Sequence, residues 1–156
     1  MNLNKFTEKA QEVVFESKSI AENNNNQSID NEHLLLASLE QSDGIAVRIL
    51  NKSGVNVEAL RSRVKKEVDR IPKVSGTATS QVYITARLNL VFKIAESEAE
   101  RLKDDYVSVE HLLIALVDDQ DRGPNYQIFK EFGITREKIY QALTEVRGSQ
   151  RVTAQN

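Results

Sequence analysis

The residues best suited to chemistry in this sequence are two glutamate–histidine pairs, Glu32–His33 and Glu110–His111. A carboxylate beside an imidazole can transfer protons near neutral pH, and the same side chains can bind zinc. A zinc protease, however, carries two histidines one turn apart on a single helix, in the pattern His-Glu-x-x-His. Here His33 and His111 are 78 residues apart, each near the start of an apolar run. The spacing favours a structural role, with each glutamate stabilising the dipole of a helix in its first turn.

Other chemistry finds little support in the composition. The sequence contains no cysteine, and it has neither a phosphate-loop pattern nor a Gly-x-Ser-x-Gly elbow. Lysine and arginine number 21 against 23 aspartates and glutamates, a net charge of −2, which disfavours nucleic-acid binding. A basic cluster could hold phosphate, but interleaved acids favour a solvated helix face with intrahelical ion pairs. The cluster comprises Arg61, Arg63, Lys65, Lys66 and Arg70.

The surroundings of the two histidines repeat along the chain. The shift of 78 residues that relates the histidines also carries Thr7 onto Thr85, and a shift of 79 carries Gly54 onto Gly133. Apolar positions match apolar positions on both sides of the one-residue insertion. The pattern therefore predicts an internal duplication, with one buried helix at the centre of each copy.

Each copy reads as four helices, so we predict an all-α fold of eight helices in two pseudo-twofold-related repeats. Spacings of three and four residues between apolar positions indicate amphipathic helices around each buried one. The segment 81–85 alternates weakly but is too isolated to build a sheet. Capping residues predicted at helix starts are Thr7, Asp30, Ser108 and Thr135.

We expect a single domain over residues 1–148. Repeat one spans about 3–70, a small polar linker 71–81, and repeat two about 82–147, whereas 149–156 reads as the start of a flexible tether to a further module. No apolar run approaches the ~18 residues of a membrane helix, and the N-terminus lacks a signal-peptide core. The absence of cysteine fits a cytoplasmic setting.

One asymmetry between the repeats points to a binding surface. Leu90 and Ile94 lie one turn apart off the main apolar stripe, where repeat one has Glu12 and Glu16. These apolar residues either pack the repeats together, which the pattern favours, or line a groove open to a partner.

The duplicated x-x-Glu-His-Leu-Leu-x-Ala-Leu pattern, set between a capped amphipathic helix and a Gly-Ile/Val turn, resembles the N-terminal repeat domain of Clp-type AAA+ chaperones. The resemblance runs from about Leu3 to Gly148. The segments 71–76, 104–108 and 146–152 are similar to the ClpB branch, the protein disaggregases. The resemblance implies a monomeric, non-catalytic domain without cofactor. ATP and magnesium would belong to missing ATPase modules of a hexameric full-length protein.

The resemblance also implies a function and a site. The domain would bind unfolded or aggregated polypeptide clients and pass them to the AAA+ ring, without nucleic acid or membrane. The alternative is docking of a folded adaptor or co-chaperone, as in a ClpC- or ClpA-type unfoldase. A third hypothesis, a metal-dependent enzyme using His33 and His111, would be abandoned if zinc left the melting temperature unchanged. The substrate-binding residues that the resemblance implies are Thr7, Leu90, Phe92, Ile94, Asp104 and Glu110, although Phe92 also lies on the predicted core stripe.

Overall fold

A computed structural model describes residues 2–75, 82–118, 122–148 and 150–156, and helices dominate them. The described residues form eight α-helices, four in each half of the chain, which confirms the predicted all-α double repeat. Repeat one contains α1 (Glu8–Asn23), α2 (Asn31–Glu40), α3 (Ile45–Lys52) and α4 (Val57–Asp69). Repeat two contains α5 (Ala86–Arg101), α6 (Val109–Val117), α7 (Pro124–Glu131) and α8 (Arg136–Arg147).

Matching side chains begin and end the helices of the two repeats. The Thr7 hydroxyl accepts a hydrogen bond from the Ala10 amide at 3.1 Å, and that of Thr85 accepts one from the Leu88 amide at the same distance. These caps satisfy donors that the first turn of a helix leaves free. After α3 and α7 the chain turns at Gly54 (φ 83°) and at its counterpart Gly133, conformations that favour glycine.

Two very short strands differ from the expectation that segment 81–85 builds no sheet. Strand β1 (Ser28–Ile29) pairs in parallel with β2 (Tyr83–Ile84). A two-residue strand carries no alternation to detect, and its partner lies in the other repeat. Sequence periodicity therefore had no signal for this pairing.

The pairing between repeats is reciprocal. Ile29 pairs with Ile84, and an isolated parallel bridge joins Phe6 to Val107. Phe6 and Ile84 are 78 residues apart, and so are Ile29 and Val107. The segment before the first helix of each repeat thus pairs with the segment before the buried helix of the other. This exchange is what a pseudo-twofold axis between the repeats produces.

The core is continuous across the repeats. Helices α2 and α6 are buried on nearly all sides and contact each other, while α3 packs on α8 and α4 packs on α7. None of the helices within the described residues is long and apolar enough to span a membrane. Among the largest fully buried side chains are Leu34, Leu35, Leu39, Leu112, Leu113 and Ile114.

Three predicted segments fall partly outside the described residues. They are the linker 71–81 beyond residue 75, the acidic turn between Asp118 and Arg122, and Ser149 at the start of the predicted tether. Residues 150–156 are described, and they lie against the domain.

Candidate functional site

Both histidines are buried parts of helix caps. His33 Nδ1 accepts the Asp30 backbone N–H at 2.9 Å, and His111 Nδ1 accepts that of Ser108 at 2.8 Å. Because Nδ1 accepts, the neutral ring carries its proton on Nε2. Burial lowers the pKa of His33 below its ordinary value. The predicted structural role agrees with this geometry, which leaves neither ring a free nitrogen for a metal.

The sequence held a signal for these caps. Asp30 and Ser108 stand three residues before a histidine, in the spacing of a capping box, with histidine where glutamate is usual. Among the residues that the structure describes, no group of three or more potential ligands could hold a metal ion.

The remaining nitrogen of each histidine binds a residue that holds the chain leaving its repeat. His33 Nε2 donates to Asn26 Oδ1 at 2.8 Å, and His111 Nε2 donates to Asp104 Oδ2 at 2.7 Å. The Asn26 amide in turn donates to the Pro72 carbonyl at 3.2 Å, after α4. Asn26 and Asp104 are 78 residues apart, so one device recurs in both repeats, with an amide in one and a carboxylate in the other.

Asp104 is therefore a buried anchor. Its Oδ1 accepts the Val152 backbone N–H at 2.8 Å and an ion pair from Arg147. Burial alone would raise the pKa of Asp104, but the hydrogen bonds from Val152, Arg147 and His111 outweigh burial and hold the pKa below its ordinary value. The resemblance implied a substrate-binding acid at this position, and the structure places its side chain beneath the surface.

Arg147 links Asp104 to Glu110. A second guanidinium nitrogen of Arg147 lies 3.5 Å from Glu110 Oε2, and the three side chains are at most 10% exposed. A buried charge network of this kind holds its members in fixed positions. Two of the predicted site residues are thus joined by an arginine of α8 that the sequence analysis did not select.

Thr7 and Glu110 line one groove of about 350 Å³, and the chain's own residues 151–156 line it too. The Gln155 carbonyl accepts the Glu8 amide at 2.8 Å, and the Gln155 side chain donates to the Phe6 carbonyl at 3.0 Å. Residues 150–156 thus carry contacts that a free tether would lack. Their role as the start of a tether remains a prediction.

The other three predicted site residues separate from this groove and from each other. Phe92 is 4% exposed and packs edge-on against Phe6, with ring centroids 5.8 Å apart, so it belongs to the core. Leu90 is 41% exposed. Ile94 is half-buried and lines a small cavity with Leu90. Exposure of Leu90 contradicts the favoured expectation that it packs between the repeats.

The cavity beside Leu90 and Ile94 measures about 20 Å³. Helices α5, α6 and α7, together with the start of α2, form its walls. Apolar groups on one side face the charged side chains of Arg87 and Asp118 on the other. Its further lining includes Asn31, Asn125, Tyr126 and Phe129.

Sequence reasoning missed an ion cluster between the repeats. Arg87 contacts Asp30 Oδ2 at 3.3 Å and Glu32 Oε2 at 3.2 Å, and the Thr85 hydroxyl donates to Asp30 at 3.0 Å. Burial, aided by the charge of Asp30, raises the pKa of Glu32 to about 7 against the opposing effect of Arg87. The repeat shift offered a signal, because it places Lys9 at the position of Arg87.

The basic cluster on α4 is paired with acids, as predicted. Arg63 contacts Glu67 at 2.7 Å one turn along the helix, and Arg61 contacts Glu58 at 2.5 Å. Arg63 also contacts Glu131 of repeat two at 3.0 Å. Hydrogen bonds to Glu131 and Glu67 raise the pKa of Arg63 above its ordinary value. The arginines thus serve helix stability and packing between the repeats.

The chain belongs to the family of Clp repeat (R) N-terminal domains, whose model matches residues 5–132. Within that family it is similar along its whole length to ClpB chaperones, which confirms the expected ClpB type. Chaperone protein ClpB of Bacillus anthracis is 42% identical over 158 residues, and ClpB of Nitratidesulfovibrio vulgaris is 39% identical. Each match covers 100% of this chain and 18% of the relative, so the chain spans about a fifth of the length of these proteins.

Solved structures share the fold at low sequence identity. The Hsp104 N-terminal domain from Candida albicans has a TM-score of 0.83 at 22% identity, covering 98% of both chains. The N-terminal domain of ClpD from Arabidopsis thaliana has a TM-score of 0.68 at 21% identity, covering 95% of this chain and 98% of that one. A ClpV N-domain in complex with a VipB peptide has a TM-score of 0.68 at 15% identity, covering 100% and 96%.

Proposed function

We propose that this domain binds extended apolar segments of unfolded or aggregated polypeptide beside Leu90 and Ile94 and passes them to a AAA+ ATPase ring. The observation that carries the proposal is the exposure of Leu90, 41% on a helix face where repeat one carries Glu12. A repeat unit folds without an apolar residue at that position. Exposed apolar side chains beside a cavity and charged groups are typical of interaction sites.

The groove suits weak and general binding. Leu90 and Ile94 offer an apolar strip to client side chains, whereas Arg87 and Asp118 border it with charge. A strip of this size favours modest affinity. Copies of the domain around one ring would raise the overall avidity without any new contact. The relatives' name, chaperone protein ClpB, fits this division between a binding domain and an ATPase ring.

Docking of a folded adaptor or co-chaperone is the second candidate. The groove around Thr7 and Glu110 favours it, because this groove is larger and separate from the one at Leu90. The complex of a ClpV N-domain with a VipB peptide supports binding of a defined partner segment by this fold. An adaptor at the Thr7 groove would meet residues 151–156, which line it.

Paired substitutions separate general loss of apolar surface from loss of the groove. Leu90→Glu installs the residue type that repeat one carries, and Phe15→Glu is the control, because Phe15 is 58% exposed on α1. Affinity for a chemically denatured, fluorescently labelled model protein is measured by anisotropy. We expect Leu90→Glu to weaken binding about tenfold or more, since it buries a charge against the client, while Phe15→Glu stays near wild type. Equal affinities for all three proteins would reject the groove.

A further inference from the structure

The small cavity beside Leu90 gathers buried polar atoms that have no hydrogen-bond partner. Among the residues that the structure describes, four buried side-chain nitrogen or oxygen atoms lack one, and three of the four belong to Asn31 and Asn125. Asn31 is 5% exposed and Asn125 is 4% exposed, and both line the cavity. Buried polar groups in native proteins are normally paired, so unpaired amides at one place indicate a ligand.

The fold itself does not require these amides. At the repeat shift of 78, Asn31 corresponds to Val109, and at the shift of 79, Asn125 corresponds to Ala46. Both counterparts are buried apolar residues. The same structural unit is therefore built with apolar side chains at these positions. Replacing a buried unpaired amide by such a residue would be neutral or stabilising for folding.

The size of the cavity limits what can pair with the amides. A volume of about 20 Å³ admits a group about as large as one water molecule. A large side chain does not fit, but a main-chain carbonyl or N–H group does. An asparagine amide offers both a donor and an acceptor, which together complement the two polar groups of an extended peptide backbone.

We propose that Asn31 and Asn125 hydrogen-bond the main chain of a polypeptide lying across Leu90 and Ile94. This inference rests on the proposed function and specifies how that groove recognises its client. Leu90 and Ile94 contact side chains of the client, while the two amides read its backbone. Backbone groups are the same in every sequence, so this recognition admits any sufficiently extended apolar segment. Hydrogen bonds that form only with client also restrict binding to chains whose backbone is not already paired in secondary structure.

The inference is tested with two matched ligands and the 156-residue chain. One ligand is an extended apolar decapeptide, and the other is its counterpart with alternate peptide bonds replaced by esters, which removes N–H donors and leaves the side chains unchanged. The double variant Asn31→Val, Asn125→Ala installs the residues that the other repeat carries. Dissociation constants are measured by calorimetry, and thermal melting checks that the variant folds.

We expect the wild-type domain to bind the peptide about tenfold more tightly than the ester, whereas the double variant binds both with the weaker affinity. Its melting temperature should match or exceed that of wild type. A double variant that keeps both the wild-type affinity and the preference for the peptide would overturn the inference, since ordered water then suffices for the amides. With that result, a large loss for Leu90→Glu would still uphold the proposed function. Equal binding by Leu90→Glu and wild type would reject both.

Discussion

At the scale of single residues, the charged groups expected to touch a client divide into anchors and surface groups. Asp104 contacts His111, Arg147 and the Val152 amide, and its carboxylate is fully buried. A mutation there changes the fold around the groove that Thr7 and Glu110 line before it changes any client contact. Loss of function at such a residue does not by itself identify a binding contact.

Replacing Asp104 by asparagine should destabilise the domain by about 3 kcal/mol, because Arg147 then keeps a buried charge with a neutral partner. The depressed pKa of Asp104 means that its contribution is present above the unfolded pKa near 3.8 and is lost as the pH falls through the lower folded value. Urea unfolding between pH 2 and 7 measures both effects. Asp105→Asn, an exposed neighbour, is the control. A variant as stable as wild type at pH 7 would refute the anchoring role.

Glu32 should show the opposite pH dependence. Its pKa rises from 4.5 to about 7 on folding, so the folded state holds a proton that the unfolded state releases, and stability falls as the pH rises from 4.5 to 7. Glu32→Gln removes this loss, worth at most about 3 kcal/mol. Relative to wild type, the variant should therefore gain stability across that window, measured by unfolding at each pH. The exposed Glu16→Gln should give a constant difference, and a constant difference for Glu32→Gln would contradict the assignment.

At the scale of elements, local signals in the sequence predicted the helices well, because capping residues and apolar spacing act within one turn. Thr7 and Asp30 were recognised as caps from their position before an apolar stripe. The pairing of Ile29 with Ile84 was not predictable from periodicity, since each strand has two residues and the pair spans both repeats. The repeat register does relate this pair to Phe6 and Val107, once one of the two is known.

Thr7 provides a test at this scale, because a cap and a client contact make different demands on its side chain. Thr7→Ala should destabilise the domain by about 1 kcal/mol, since the Ala10 amide loses its acceptor, whereas Thr7→Ser keeps the hydroxyl and most of the stability. Chemical unfolding of the three proteins measures this difference. If serine and alanine destabilise the domain equally, the threonine methyl group and not the cap would be the important feature.

At the scale of the whole molecule, duplication explains the scaffold, and departures from it mark the site. Leu90 and Asn125 differ in type from their counterparts Glu12 and Ala46, although the backbone around them repeats. The sequence indicated the apolar half of this asymmetry. It could not show that α7 brings Asn125 to the same cavity as Asn31, because that proximity depends on how the two repeats pack.

The predicted site was correspondingly divided by the fold. Leu90 and Ile94 line the small cavity, Thr7 and Glu110 line a second groove beside residues 151–156, and Phe92 lies in the core. A resemblance transfers residues one at a time, whereas a surface depends on which of them share a face. The two grooves therefore stand as competing locations for a partner.

Titration of the isotope-labelled domain with a denatured model protein, followed by amide NMR shifts, tests the central claim most directly. The account predicts that shifts cluster around Leu90, Ile94 and Asn125 as the client is added. Shifts confined to the neighbourhood of Thr7 and Glu110, with Leu90 and Ile94 unchanged, would contradict client binding at the small cavity and favour docking of a defined partner in the larger groove.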